Sequence, residues 1–102
     1  MKQDVVYILE CIDGTLYTGW TNDLDARMQA HFTKRGAKYT RSHPPKSLVY
    51  VEILPDKQTA LRREAQIKRL SRAKKRSLIE TYRANIDKLY GSGYDKRDYY
   101  QF

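Results

Sequence analysis

The chain has one cysteine in 102 residues, so no disulfide framework is available to it. Cys11 lies in an apolar run, and a reducing compartment is the expectation. No apolar stretch approaches the length of a bilayer span, and MKQDVVYIL at the start has no secretion signal. A cytoplasmic protein without a membrane role follows as the expectation. There is no CxxC pair, no Ser/His/Asp set, no phosphate loop and no internal repeat. With that length, one domain and one core are expected. Residues 1–84 read as the folded unit. Residues 85–102 read as a helix end and a loosely ordered, tyrosine-rich tail containing Tyr94, Tyr99 and Tyr100.

Positive charge is plentiful and unevenly placed. The formal net charge is +8, but residues 33–76 hold 14 Lys/Arg against 3 acids. Folding does not need such a block, because like charges repel. It implies a polyanionic partner, and phosphates attract it regardless of sequence. The basic segments lack Trp or Phe on an apolar face, which argues against a membrane surface.

Val5 to Cys11 is apolar on both parities and reads as a strand covered on both faces. Asp13-Gly14 marks a hairpin turn, and Leu16 to Trp20 reads as the return strand. Thr21 or Asn22 is expected to cap the next helix, whose core stripe is Leu24, Met28 and Phe32. Arg27 and His31, four apart, share a face at the edge of that stripe. Thr33 to Ser47 reads as a basic loop, given Gly36 and Pro44-Pro45. His43 lies in it with no setting that suggests a role. Leu48 to Leu54 is a third strand, antiparallel to one of the first two. Lys57 to about Leu70 is a helix in which Glu64 falls within the stripe of Ala60 and Ile67. An inward-facing carboxylate is costly unless paired or bound to a metal. Ser71 caps a last helix along Leu78, Ile79, Tyr82, Ile86 and Leu89. The expected class is α/β: a small three-stranded antiparallel sheet flanked by helices.

The run from Val5 to His31 resembles the GIY-YIG nuclease superfamily. Val5-Val6-Tyr7 stands where the family writes G-I-Y, and Tyr17-Thr18-Gly19 where it writes Y-I-G. Asn22, Leu24 and Arg27 match the following N-x-L-x-x-R, and His31 falls where the family carries His or Tyr. GAKYTR (Gly36 to Arg41) and LRREAQIKRLSRAKK (Leu61 to Lys75) are similar to small stand-alone bacterial members. The resemblance spans roughly residues 4–80. Val5 for Gly and Thr18 for Ile depart from the pattern, and neither residue type performs chemistry.

The resemblance implies metal-dependent hydrolysis of a nucleic-acid phosphodiester, DNA before RNA, by in-line attack of water that leaves a 5′-phosphate and a 3′-hydroxyl. It makes Tyr7, Tyr17, Arg27 and His31 the catalytic set. Tyr7 and Tyr17 position and activate the water. Arg27 clamps the scissile phosphate, and His31 bonds the phosphate or relays a proton. Glu64 is then the one protein ligand of a Mg²⁺ or Mn²⁺ ion, against the plainer role of an ion pair with Lys68 or Arg63. Backbone contacts are expected from Lys38, Tyr39, Arg41, Arg63, Lys68, Lys74, Lys75 and Arg76, with Arg62, Arg69 and Arg72 beside them. With no second domain, recognition of DNA structure or single strands is expected, or a protein partner that supplies specificity. The alternative is a nucleic-acid-binding module that keeps the scaffold without cutting.

A shared site for the two tyrosines constrains the turn. A two-residue Asp13-Gly14 loop pairs Tyr7 with Trp20 and sends the phenols to opposite faces. A three-residue Ile12-Asp13-Gly14 loop with Gly14 left-handed pairs Cys11 with Thr15 and Tyr7 with Gly19. Both phenols then share a face. The three-residue loop, or a bulge of equivalent effect, is the expectation.

Overall fold

The computed structural model describes residues 3–33 and 38–90, with side chains to residue 85. The elements run β1 (Asp4–Cys11), β2 (Leu16–Thr21), α1 (Leu24–Phe32), α2 (Lys38–Ser42), β3 (Pro45–Leu54), α3 (Lys57–Lys68) and α4 (Arg72–Tyr90). The expectations for Gly36 and for the tail from residue 91 lie outside the described residues, as do the side chains of Ile86 and Leu89. Among the described residues no helix is long and apolar enough to cross a membrane.

The strands form one antiparallel sheet in the order β2-β1-β3. β1 is central, which is why it is apolar on both parities: Val5 to Leu9 are all buried. Val6 and Ile8 face one cluster with Val49, Tyr50, Ala60, Ile67 and Ile79, supplied by β3, α3 and α4. Tyr7 and Leu9 face the other, with Met28 and Leu48, against α1. Leu24 and Phe32 pack onto this second cluster, so the expected stripe of α1 is in place. Each fully buried side chain of Leu or Ile size stabilises the fold by about 1.5–3 kcal/mol.

The turn is the three-residue form. Gly14 has φ +83°, its N–H donates to the Cys11 carbonyl at 2.9 Å, and the Cys11 N–H donates to the Thr15 carbonyl at 2.9 Å. Tyr7 therefore pairs with Gly19 and Tyr17 with Leu9. On the other side of β1 the register slips at Ile8/Leu9, where Tyr50 and Leu48 become the successive partners. Such a bulge re-aims side chains, and it turns Leu48 onto the Tyr7 face.

Three local expectations change. The cap of α1 is Asp23, not Thr21 or Asn22. The Asp23 carboxylate accepts from the Ala26 N–H at 3.2 Å, while Thr21 Oγ1 accepts from the Asp23 N–H at 3.0 Å. Thr21 remains the last residue of β2, and its hydroxyl makes the turn that moves the helix start onward. The basic segment is not loop throughout, because Lys38–Ser42 is a helical turn that Pro44 follows. β3 begins at Pro45 rather than Leu48. A proline is tolerated at the first position of an edge strand, and the Pro44 carbonyl accepts from the Ile12 N–H at 2.9 Å.

α3 is capped by Asp56, which accepts from the Thr59 N–H at 2.7 Å, and Ser71 Oγ accepts from the Lys74 N–H at 3.2 Å to start α4. Two arginines of α4 tie it to the hairpin. Arg72 and Arg76 donate to the Gly14 carbonyl at 2.8 and 3.3 Å, and Arg76 pairs with Glu10 at 3.0 Å.

Candidate active site

The hairpin register places both phenols on the α1 face of the sheet, with ring centroids 6.3 Å apart. Gly19 makes this arrangement possible. A Cβ there would sit 2.5 Å from Tyr7 Oη and 2.6 Å from its Cζ, closer than such atoms approach. Tyr7 has no exposure and Tyr17 is half-buried.

α1 supplies the next two side chains, one turn apart. His31 is fully buried, 5.6 Å from the Tyr7 ring and 5.3 Å from the Tyr17 ring. Its Nε2 lies 2.7 Å from Tyr7 Oη, and its Nδ1 lies 2.8 Å from Thr40 Oγ1 of α2. Burial, and then the cation of Arg27, lower the His31 pKa to about 4, so the imidazole is neutral at pH 7. Burial holds the Tyr7 phenol far above its ordinary value. The hydrogen bond and charge of Arg27 oppose this, while the charges of Tyr17 and Glu64 add to it. Arg27 is half-buried; its hydrogen bond with Tyr7 helps raise its own pKa, and Tyr17 acts in the same direction. Arg27 Nε is buried with no hydrogen-bond partner among the described residues.

Glu64, on α3, is close enough for its charge to act on Tyr7. Its side chain is 19% exposed, and its ion pair is with Lys68 at 3.4 Å. Among the described residues no group of three His, Cys, Asp or Glu could hold a metal ion. Both nitrogens of His31 are already bonded to protein oxygens.

α2 closes the site with an aromatic stack. Tyr39 stacks on Tyr17 at 5.6 Å and on His43 at 4.2 Å, and His43 Nδ1 lies 2.7 Å from Asp13 Oδ2 in the hairpin turn. The contact with His43, followed by bonds from Thr15, holds the Asp13 carboxyl well below the usual range. Stacking against two protein rings already occupies much of the Tyr39 π-surface.

These constraints belong to a known architecture. Residues 3–77 match the model of the GIY-YIG catalytic domain. The chain belongs to the GIY-YIG nuclease superfamily. It is 52% identical over 81 residues to a UPF0213 protein of Syntrophus aciditrophicus, covering 78% of this chain and 93% of that one. It is 49% identical over 74 residues to the UPF0213 protein VNG_2274C of Halobacterium salinarum, covering 72% and 96%. The solution NMR structure of the UPF0213 protein BH0048 from Bacillus halodurans is 47% identical, with a TM-score of 0.52 over 78% of this chain and 84% of that one. This is a small GIY-YIG domain protein whose sheet and flanking helices have a solved counterpart.

The GIY-YIG fold thus gathers Tyr7, Tyr17, Arg27 and His31, with Tyr39 stacked beside them and Glu64 in electrostatic reach. The basic side chains divide. Lys38, Arg41 and Lys74 are exposed and Lys75 is half-buried. Arg63 is engaged elsewhere, donating from Nε to Glu52 at 2.9 Å beside the Tyr50–Glu52 hydrogen bond. Arg76 is engaged with Glu10, and Lys68 with Glu64. Three residues of the site escaped sequence reasoning: Thr40, His43 and Asp13. The spacing of Tyr39 and His43, four apart, was the available signal for the stack. Nothing local marks Thr40, whose partner is nine residues away.

Proposed function

We propose that the protein is a metal-dependent endonuclease that hydrolyses phosphodiester bonds in structured or single-stranded DNA. The observation that carries this reading is the convergence of Tyr7, Tyr17, Arg27 and His31 on one sheet face, with a part-buried carboxylate close enough to act on Tyr7. The basic stretch from residue 33 to residue 76 supports a nucleic-acid substrate.

Arg27 binds the scissile phosphate. Its guanidinium offers parallel donors, and its unpartnered Nε is the kind of buried donor that an oxyanion satisfies. Tyr17, which solvent reaches, orients the attacking water. Tyr7 takes up the water's proton while passing its own from Oη to His31 Nε2, the acceptor at 2.7 Å. Burial holds both groups neutral in the free protein, and the Arg27 cation adds to this at His31, so the two proton shifts are concerted with phosphate binding at Arg27, which offsets that cation, and the proton ends on His31.

The donors fit a divalent cation. One hard oxygen ligand suits Mg²⁺ or Mn²⁺, which keeps several waters and takes substrate phosphate oxygens. Glu64 would hold the ion, which as a Lewis acid supplies stabilisation of the leaving oxygen. The Glu64–Lys68 ion pair favours a second reading, a binding module that does not cut.

DNA structure, single strands or a protein partner supply selectivity, and the protein acts in the cytoplasm. Incubation with end-labelled branched, nicked and single-stranded DNA, and RNA controls, tests the reading. Metal-dependent products ending in 5′-phosphate are expected. Binding without products under Mg²⁺ and Mn²⁺ would favour the second reading.

A further inference from the structure

His31 is closed to solvent and has one protein oxygen at each ring nitrogen: Tyr7 Oη on Nε2 at 2.7 Å and Thr40 Oγ1 on Nδ1 at 2.8 Å. A neutral imidazole carries one N–H, and its other nitrogen only accepts. Two arrangements satisfy both contacts. In the first, Nδ1–H donates to Thr40 and Nε2 accepts from the Tyr7 hydroxyl. In the second, Nε2–H donates to Tyr7 and the Thr40 hydroxyl donates to Nδ1.

Arg27 decides between them. Its cation is near enough to act on the Tyr7 phenol, and the guanidinium has donors but no acceptor. The phenol oxygen therefore turns a lone pair to Arg27 and its hydrogen away. His31 Nε2 is the acceptor in that direction.

We propose that Thr40 is a positioning residue: by accepting the Nδ1–H of His31, it holds the ring in the tautomer whose lone pair at Nε2 faces Tyr7 Oη. This rests on the nuclease reading for its purpose, since Thr40 acts through His31 and has no role on substrate. It gives α2 a function in catalysis, and the neighbouring contacts show how α2 is held. Thr40 is 1% exposed. The His43 N–H donates to the Tyr39 carbonyl at 2.8 Å, the His43 ring stacks on Tyr39, and His43 reaches Asp13 in the hairpin turn. The strand hairpin that carries both phenols therefore also fixes the helix that sets the histidine tautomer.

Thr40→Val keeps the side-chain shape and removes the hydroxyl, whereas Thr40→Ser keeps the hydroxyl. Without an acceptor at Nδ1, the ring proton moves to Nε2, where the Tyr7 oxygen accepts it. The phenol hydrogen then loses its acceptor. The test is a long-range ¹H–¹⁵N correlation spectrum of the His31 ring at neutral pH in the wild type and both variants. Nδ1–H is expected in the wild type and in Thr40→Ser, with a shift to Nε2–H in Thr40→Val. Cleavage should fall by ~10-fold or more in Thr40→Val, recover in Thr40→Ser, and show no further loss when Thr40→Val is added to Tyr7→Phe. An Nε2–H ring in the wild type overturns the proposal, even if Thr40→Val fails to fold. So does an unchanged tautomer in a folded Thr40→Val. The ring spectrum needs no turnover, so a protein that never cleaves would overturn the nuclease reading separately.

Discussion

Tyr7 Oη and His31 Nε2 lie 2.7 Å apart, and both residues are closed to solvent. The pair joins the first strand to the first helix. It also places two neutral groups where burial disfavours charge on either, with a cation at Arg27 alongside. Moving the phenol proton to the imidazole separates charge, and that cation favours the phenolate but disfavours the imidazolium, so both groups are neutral in the free protein.

Acid stability follows from the same burial. His31 is held at about 4, below its ordinary 6.5, so the unfolded chain binds a proton that the folded chain refuses between those values. The stability from neutral His31 is complete above pH 6.5 and is lost as pH falls towards 4, by roughly 3 kcal/mol across that window. Tm measured from pH 7 to 4.5 should drop less steeply in His31→Gln than in the wild type. Equal slopes would mean that His31 is not the buried neutral group.

Gly19→Ala puts a methyl where Tyr7 already lies. Tyr7 is packed on all sides, so the phenol or the strand must shift. A loss of about 1–3 kcal/mol in chemical denaturation is expected, typical of overpacking, with loss of the Tyr7–His31 bond and of cleavage. Unchanged stability and cleavage in this variant would contradict the close approach.

The hairpin and its shared tyrosine face were legible because turn chemistry and strand alternation are local. Asp13-Gly14 and the two-residue period restrict the register to a choice, and Gly19 beside Tyr7 follows from one branch of it. α2 was not legible. It is five residues long, and prolines follow it. Its anchors are Thr40 on His31 and His43 on Asp13, the second across 30 residues of sequence. The same limit applies to charge. Arg63 and Arg76 look like surface cations in the chain, but Glu52 and Glu10 stand opposite them only after folding. The cap of α1 was missed by a residue or two because Thr21, Asn22 and Asp23 are all capping types in succession.

That division of the arginines predicts a split in the salt response. Lys74 and Lys75 have no ion pair among the described residues, so replacing both with Gln should reduce the slope of log K against log salt by up to about 2, with Tm unchanged. Arg76→Gln should instead destabilise the fold by up to about 1 kcal/mol, since it releases Glu10 and the Gly14 carbonyl. Isothermal binding at several salt concentrations and thermal melts check both. An unchanged slope in the double lysine variant would move the footprint off the start of α4.

Cleavage at this site is proposed to depend on a cation held by Glu64. Glu64→Gln keeps the volume and removes the charge that a hard cation needs. Its stability should change by no more than about 1 kcal/mol, because the ion pair with the exposed Lys68 contributes little. The most direct measurement compares wild type and Glu64→Gln on the same labelled DNA substrates with Mg²⁺ or Mn²⁺. Metal-dependent cleavage by the wild type and a fall of at least ~100-fold in the variant, with DNA binding retained, is the predicted result. Equal cleavage by the two proteins, or none by the wild type on any substrate with either metal, would contradict it.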